Sequence, residues 1–292
     1  MADNLLIMLF LPICLGIIMV GLGLHLTASD FRRVLTQPKA VFIALFVQMV
    51  LLPPSCFLIA KIFNLPAELG LGLLLLAASP GGITANLFSH LARGDVALNI
   101  TLTAINSLLV LISLPFWVVT GMGYFLAAEN NIPPPTGKVM EVALLVIVPV
   151  LIGMSVRRFK PALADAAEKP VRIMSTLILA ILTLLAVASE WELLKTYAPI
   201  IGLACLVFNI LSLASGYLAA RAVKLAKPQA TAISFEIGVH NSTLAIFIAL
   251  HVLEMPSVAI APAIYSLIMY ITAASFAFWL LKQQKKFHDQ TL

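Results

Sequence analysis

The stretch FEIGVHNST, residues 235–243, places a carboxylate, a glycine, a histidine and an asparagine inside a long apolar segment. The rest of the chain is also apolar, because 61% of its 292 residues are hydrophobic and only 11% are charged. Soluble domains carry about 25% charged residues. The composition therefore predicts a membrane protein, in which a polar stretch at mid-span needs a specific reason.

Runs of about twenty apolar residues, the length that crosses a bilayer core, divide the whole chain. Nine such runs are present, at residues 4–26, 38–63, 68–92, 96–123, 137–156, 170–189, 197–220, 229–252 and 258–281. The connections between them are too short to hold a separate domain. The predicted fold class is an all-α polytopic membrane protein with nine transmembrane helices, the first being an uncleaved span rather than a signal peptide.

The 18 basic residues divide unequally between the two sides of the predicted membrane. Only Lys61, Lys138 and Lys195 fall in one set of alternate connections, and the other 15 fall in the opposite set and the C-terminal tail. The positive-inside rule then predicts an outside N-terminus and a cytoplasmic C-terminus in the cytoplasmic (inner) membrane. Because topology explains the net charge of +5, no nucleic-acid partner is expected.

Two of the predicted spans are interrupted near the middle. The third contains SPGGITAN, residues 79–86, where proline removes a backbone donor and two glycines weaken the helix. The eighth contains EIGVHNS, residues 236–242. Each segment alone could be a kinked helix or a polar core patch. Spans 3 and 8 are predicted to run in opposite directions through the membrane. This is the layout of an inverted repeat that matches spans 1–4 with spans 6–9. Paired interruptions at matching places in such a repeat are typical of transporter binding sites.

Glu236 is the only one of the 13 acidic residues that falls deep within a predicted span. A charge at that depth costs at least ~2.5 kcal/mol, and no Lys or Arg of the sequence falls deep enough to pair with it. The side chain is therefore either protonated and donating to a carbonyl, or balanced by a bound cation.

Oxygen-bearing side chains fall at a similar depth in neighbouring spans: Gln48, Asn86, Asn99, Thr103, Asn106 and Ser107. The last four recur at helical spacing and share one face of the fourth span. Hard cations such as Na⁺ prefer oxygen ligands, so the set favours a cation site beside Glu236. Small polar residues also hold membrane helices together without further function, and that alternative stays open.

At these residues the chain resembles the bile acid:sodium symporter family. The matching segments are GIIMVGLGLHLTASDF (16–31), PKAVFIALFVQMVLLP (38–53), SPGGITANLFSHLARGDVAL (79–98) and EIGVHNSTLA (236–245). Some family members have ten spans, so this chain resembles a nine-span variant. The resemblance implies a panel domain beside a core domain in which spans 3 and 8 cross. Panel helix 1 would lie in residues 1–36 and panel helices 5 and 6 in 137–190, with core helices 2–4 in 38–123 and core helices 7–9 in 197–281.

The resemblance also implies sites for one or two sodium ions and for a small organic anion. The first sodium site would use Asn86, Asn99, Thr103 and Glu236. The second would use Gln48, Glu236, His240 and the backbone carbonyls of Ile237 and Val239. The organic anion would face Gly82, Ile83, Thr84 and Asn241.

Four positions depart from the family pattern. Ala85 stands where the family usually has serine, Asn99 where serine is common, His240 where glutamine is usual, and Ile83 where threonine is usual. One hypothesis is that His240 weakens the second sodium site and adds pH sensitivity, since histidine changes charge near physiological pH. The alternative is a neutral core histidine bonded to a carbonyl.

The expected function is secondary active transport, namely sodium-coupled uptake of an organic anion, bile-acid-like or a smaller carboxylate, by alternating access. The first alternative is a sodium-independent or proton-coupled exporter or exchanger of the same superfamily. A second is an intramembrane enzyme, in which Glu236 and His240 at i and i+4 would act as an acid–base pair. A third is a receptor built on a transporter fold. No catalytic residue is predicted, and the expected partners are the organic anion and membrane lipid.

Overall fold

In a computed structural model, the structure describes residues 13, 16–17, 19–21, 23–24, 34–126, 136–189 and 191–289. Over these ranges the chain is almost entirely helical, and strand-like pairing is limited to one isolated backbone bridge. Most of the first predicted span, residues 4–26, and the predicted outside N-terminus lie outside the described residues. The predicted all-helical class is confirmed for the part that is described.

The described helices are long, and two of them end in mid-protein. Numbered in chain order, they are α1 (Pro38–Phe46), α2 (Leu52–Ile62), α3 (Ala67–Ala78), α4 (Ile83–Leu91), α5 (Val96–Phe125), α6 (Thr136–Phe159), α7 (Pro161–Ser189), α8 (Trp191–Ala222), α9 (Lys227–Gly238), α10 (Ser242–Phe247) and α11 (Pro256–Asp289). A π-helical turn, Val47–Leu51, joins α1 to α2, and a second, Ile248–Val252, follows α10.

Three helical segments of the described chain are long and apolar enough to cross a membrane: Pro38–Ile62, Lys195–Ala222 and Pro256–Gln283. A fourth is added if Val96–Val110 and Ile112–Phe125, which meet at a 56° bend, count as one span. The bend lies one turn before Pro115, whose ring displaces the carbonyl four residues earlier. The count of nine spans stays a prediction. The third predicted span cannot be one continuous helix, because it is broken into α3 and α4.

The core of the molecule is built on α3 and α9. Residues 69–78 of α3 and 230–238 of α9 are all buried, as expected of helices that are covered on every side. α3 packs against α2, α5 and α11, and α9 packs against α4, α5 and α8. Large apolar side chains are instead exposed on the outer helices, for example Phe42, Ile112 and Phe278. Such an apolar outer surface fits contact with lipid.

One end of the core is tied together by polar side chains. Asp95 caps α5 by accepting from the Leu98 amide at 2.9 Å, and its other oxygen accepts from the Gln37 amide at 3.3 Å. Gln229 of α9 donates to the Gln37 carbonyl oxygen at 2.9 Å. The first turns of α1, α5 and α9 are therefore linked at the end of the molecule predicted to face the cytoplasm.

The first span and α6 touch through their backbones. A Cβ atom added to Gly153 would lie 2.3 Å from the Val20 carbonyl oxygen, and one added to Gly23 would lie 2.2 Å from the Val150 carbonyl oxygen. Only glycine permits this approach, which is a common packing mode in membranes. Beside this contact, the Arg157 side chain donates to the Leu24 carbonyl.

Candidate functional site

The two interruptions predicted from the sequence are both present, and they meet. α3 ends at Ala78 and α4 begins at Ile83, while α9 ends at Gly238 and α10 begins at Ser242. Gly81 and His240 form an antiparallel backbone bridge between the two breaks. The amide of Asn241 donates to the Pro80 carbonyl at 2.8 Å. In a continuous helix the Asn241 amide would instead bond to the Ile237 carbonyl. Because α9 ends at Gly238, the Ile237 carbonyl loses this helical partner.

The carbonyl groups at the end of α3 are satisfied by side chains from other elements. Gln48, in the π-helical turn after α1, donates through Nε2 to the carbonyls of Ala77 at 2.9 Å and Ser79 at 3.2 Å. The Ser79 hydroxyl bonds to the Leu75 carbonyl at 2.8 Å. A helix end inside the membrane requires such partners, since no water is present to supply them.

The end of α9 is satisfied by residues that sequence reasoning missed. Asn209 of α8 and Tyr265 of α11 donate to the Gly238 carbonyl at 2.8 and 2.9 Å, and Thr272 bonds to the Asn209 side chain. Each is a polar group within an apolar helix. The sequence shows a polar residue within an apolar run, but it does not show which carbonyl the side chain reaches.

Glu236 lies in the last turn of α9, at the crossing where the two breaks meet, and is fully buried. Thr103 and Asn106 of α5 contact its two carboxylate oxygens at 2.6 and 2.9 Å, and the backbone of Gly81 also bonds to the carboxylate. Within the described residues, no Lys or Arg side chain forms an ion pair with it. The carboxylate is thus held by hydrogen-bond donors without a countercharge from the described chain.

Gly81 makes this approach possible. A Cβ atom at position 81 would lie 2.6 Å from both the Cδ atom and the backbone oxygen of Glu236. Its neighbour Gly82 is different, because a Cβ atom there would meet only the Thr84 hydroxyl at 3.9 Å. The third residue of the SPGG break, Gly81, therefore packs directly on Glu236.

The other two residues of the predicted first sodium site, Asn99 and Asn86, lie on helices that pack against α9, which carries Glu236. Asn99 lies one turn before Thr103 and donates through Nδ2 to the Ala232 carbonyl at 2.7 Å, one turn before Glu236 on α9. Asn86 lies on α4, which packs against both α5 and α9. The carbonyl oxygens of both asparagine side chains are buried and have no hydrogen-bond donor among the described residues. Two amide oxygens thus lack a donor near the acid.

Two residues of the predicted second site, Gln48 and His240, bond to the same carbonyl group. His240 Nδ1 lies 3.2 Å from the Ser79 oxygen that also accepts from Gln48. Because a carbonyl only accepts, Nδ1 carries the proton, and Nε2 of a neutral ring is then a bare acceptor. Nε2 and the Gln48 Oε1 atom are both buried without a partner among the described residues. The His240 ring stacks on Phe208, with 5.5 Å between ring centroids.

The predicted substrate contacts lie at the start of α4 and beside α10. Gly82, Thr84 and Asn241 are partly buried, and Ile83 begins α4, although its side chain lies outside the described residues. The Asn241 oxygen caps α10 by accepting from the Leu244 amide at 3.1 Å, which leaves Nδ2 as the group that could contact a substrate. Tyr270 of α11, absent from the sequence prediction, bonds to Thr84 through its hydroxyl.

The donor set indicates which class of metal ion this site could hold. Among the described residues, no group of three or more His, Cys, Asp and Glu side chains is placed to bind a metal. The crossing instead offers one carboxylate together with amide, hydroxyl and backbone oxygens. Oxygen sets of this kind suit hard cations rather than zinc or copper.

Comparison with known proteins gives a family for the chain. The family model described as the sodium bile acid symporter family matches residues 12–197. The sodium-dependent transporter YocS of Bacillus subtilis (strain 168) is 29% identical over 279 residues, 95% of this chain and 85% of that protein. The probable sodium/metabolite cotransporter BASS1, chloroplastic, of Arabidopsis thaliana is 28% identical over 276 residues, 94% of this chain and 68% of that protein.

A bile acid transporter is also among the similar proteins. The hepatic sodium/bile acid cotransporter of Rattus norvegicus is 30% identical over 180 residues, 61% of this chain and 49% of that protein. The family and these relatives are transporters of the membrane, in line with the apolar helices described above. The chain belongs to the sodium bile acid symporter family.

Proposed function

We propose that this protein is a secondary active transporter that couples sodium entry to uptake of an organic anion. It would span the cytoplasmic membrane nine times, with its N-terminus outside and its C-terminus in the cytoplasm. The relatives named as sodium-dependent transporters and cotransporters support sodium as the coupling ion.

One observation carries the proposal. The Glu236 carboxylate is fully buried at the crossing of two broken helices, and no described Lys or Arg pairs with it. A buried charge is costly unless an opposite charge balances it. Unpaired oxygens of Asn86 and Asn99 lie on the helices that surround it, and their chemistry suits a bound Na⁺.

In this proposal the first sodium ion binds Glu236, Thr103, Asn99 and Asn86. A second ion would use Gln48, Glu236, the carbonyls of Ile237 and Val239, and His240 through its bare Nε2 atom. Imidazole nitrogen is a poorer ligand for a hard cation than an amide oxygen, so the first site is expected to bind more tightly. Two sodium ions with one monovalent anion would carry one net charge inward, which gains about 2.3 kcal/mol per 100 mV.

The organic anion would bind at the start of α4. Gly82 supplies no side chain to cap the first turn of α4, and the Ala85 amide donates to the Gly82 carbonyl at 2.9 Å. The amides of Ile83 and Thr84 would then bind the anion. Thr84, Tyr270 and the Nδ2 group of Asn241 would add hydrogen-bond donors for a carboxylate. A bile-acid-like anion and a smaller carboxylate both have the chemistry that this site recognises.

Alternating access would move the core domain against the panel domain. The Gln37–Asp95–Gln229 network links three core helices, which supports their moving together. The glycine contact of the first span with α6 supports placing spans 1 and 5 together in the panel. The panel would comprise residues 1–36 and 137–190, and the core residues 38–123 and 197–281.

A thermal-shift screen of carboxylates tests this proposal. We expect Na⁺ to raise the melting temperature of the purified protein while K⁺ at equal ionic strength does not, because only the smaller ion matches the oxygen set. A transported anion should then stabilise the protein further only when Na⁺ is present. Stabilisation by an anion to the same extent in K⁺ and Na⁺ would contradict sodium coupling.

Proton coupling is the second candidate, and one contact favours it. The Thr103 hydroxyl lies 2.6 Å from Glu236 and also 3.1 Å from the Asn99 carbonyl, yet it has one hydrogen to donate. If that hydrogen goes to Asn99, a protonated Glu236 can donate to Thr103 in turn. The acid could therefore be neutralised by a proton without losing this hydrogen bond, and uptake driven by pH in Na⁺-free buffer would favour this candidate.

A further inference from the structure

A second polar feature lies beside the crossing and shares Gln48 with the predicted second sodium site. A small, partly open pocket is lined by residues that include Gln48, Pro80, Asn106, Ser113 and Trp117. Its cavity volume is about 10 Å³, which is room for a single water molecule or ion. Pockets for organic ligands usually enclose roughly 300–1,000 Å³, so this one does not suit the organic anion.

Two amide side chains on the pocket wall each leave one oxygen without a donor. Gln48 is held through Nε2 by two carbonyls, and Asn106 is held through Nδ2 by the Glu236 carboxylate. Because those partners only accept, both nitrogens must face them and both oxygens must face elsewhere. Gln48 is 3% exposed and Asn106 is 1% exposed, and neither side-chain oxygen has a partner among the described residues.

Buried acceptors without donors are costly, and either a water molecule or a cation can satisfy them; close to a carboxylate without a countercharge, a cation is favoured. The pocket also has a direct connection to the acid. Asn106 both lines the pocket and contacts the Glu236 Oε1 atom at 2.9 Å, so one side chain separates the two.

The pocket continues the polar face of α5 toward the predicted outer side. Thr103, Asn106, Val110, Ser113 and Trp117 follow at alternating intervals of three and four residues, which places them on one side of the helix. The path along the helix from Thr103 to Trp117 is about 21 Å and turns at the 56° bend after Val110. This face therefore leads from Glu236 toward the end of α5 that lies opposite the Asp95 cap.

We propose that this pocket is an entry site for a monovalent hard cation on its way to Glu236, and that Asn106 passes the ion inward. The inference rests on the proposed function, because it takes Glu236 as the cation's destination. Neutral amide oxygens bind an ion weakly, and weak binding is what an entry site needs if the ion is to move on.

Rotation of the Asn106 amide would provide the transfer step. A half-turn about the Cβ–Cγ bond brings Oδ1 to the side of the carboxylate and removes the Nδ2 hydrogen bond. Without a cation this places two oxygens against each other and is unfavourable. With a cation between them both oxygens become ligands, so the rotation is coupled to the presence of the ion.

The fluorescence of Trp117 can report ion binding in this pocket, since Trp117 forms part of the pocket wall. In the full-length protein with Trp191→Phe and Trp279→Phe, it is the only remaining tryptophan. We expect NaCl to change its fluorescence and choline chloride at equal concentration to leave it unchanged. In Glu236→Gln the response should persist, with a half-saturating Na⁺ concentration raised up to tenfold, while stabilisation by Na⁺ is lost.

Two substitutions test the pocket itself. Asn106→Leu and Ser113→Phe, which remove an oxygen and fill the pocket, should each abolish the Trp117 response. Ile112→Phe is the matched control, since Ile112 is the neighbouring position and is 76% exposed, and its response should equal that of the parent. Size-exclusion chromatography shows whether each variant is folded.

The outcomes separate this proposal from the function on which it rests. A response that survives both pocket substitutions, or that disappears in Glu236→Gln, overturns the entry site. Stabilisation by Na⁺ without any Trp117 response overturns the entry site and leaves the proposed function standing. Absence of both effects in the parent protein overturns sodium coupling as well.

Discussion

Glu236→Gln is expected to abolish sodium-dependent uptake and sodium-dependent stabilisation, with uptake reduced about 100-fold or more. The substitution keeps the shape of the side chain and removes the charge that would balance the ion. It also turns a nitrogen toward Thr103 or Asn106, each of which now contacts a carboxylate oxygen. A 100-fold loss corresponds to about 2.8 kcal/mol, just below the roughly 3–5 kcal/mol that a broken buried charge pair costs. Uptake into proteoliposomes and melting curves in Na⁺ and K⁺ measure the two effects.

Glu192→Gln is the matched control for this substitution. The Glu192 side chain is 85% exposed and pairs with Lys195 at 2.7 Å, and exposed pairs contribute about 0–1 kcal/mol. We expect its uptake and its sodium response to equal those of the wild type. If Glu236→Gln were folded and kept the wild-type dependence on sodium, the acid would have no part in ion coupling.

Gly81→Ala is expected to lower both thermal stability and sodium affinity. The added Cβ atom would lie 2.6 Å from the Cδ atom and the backbone oxygen of Glu236, so the two breaks must move apart. Overpacking of this kind costs about 1–3 kcal/mol. Melting temperature and a sodium titration by thermal shift provide the measurement.

Gly82→Ala serves as the control, because it makes the same chemical change one residue later. Its Cβ atom would meet only the Thr84 hydroxyl at 3.9 Å, and the Gly82 backbone, at φ −123°, accepts any residue. The melting temperature and sodium titration of Gly82→Ala should follow the wild type. Equal losses in both variants would mean that the break is merely intolerant of side chains, without specific packing on Glu236.

The parts of the fold that depend on local chemistry were predictable from the sequence. Proline and two glycines cannot sustain a helix, and the break at 79–82 lies where SPGG predicts it. The predicted fourth span, residues 96–123, is the helix Val96–Phe125, since its hydrophobic run and the Asp95 cap define its start. Hydrophobic length predicted that Glu236 would be buried, and its contact with Thr103 agrees with the shared site that the family resemblance implied.

The missing parts depend on contacts between distant segments. Asn106 was recognised as a member of the polar face of α5, but spacing alone did not identify it as a direct partner of Glu236. Asn209 and Tyr265 converge on one carbonyl from different helices, and a polar residue in an apolar run does not specify its partner. The π-helical turn that aims Gln48 at the end of α3 has no sequence signature that we recognised.

His240 illustrates an intermediate case. Its position beside Glu236 was evident from the sequence, and both hypotheses for it remain predictions. The structure adds that Nδ1 is engaged by the Ser79 carbonyl while Nε2 has no described partner. The histidine therefore satisfies a carbonyl, as a core residue would, and still presents one nitrogen to a cation or a proton.

Binding of radioactive ²²Na⁺ to the purified protein, compared between wild type and Glu236→Gln, tests most directly whether a metal ion balances the buried acid. The wild type should bind one or two ions per chain in a saturable manner that excess unlabelled NaCl, but not KCl, reverses. The Glu236→Gln protein should lose this binding and keep at most the weaker binding expected of the entry pocket. Equal saturable binding by both proteins, or none by a folded wild type, would contradict a sodium ion at the crossing.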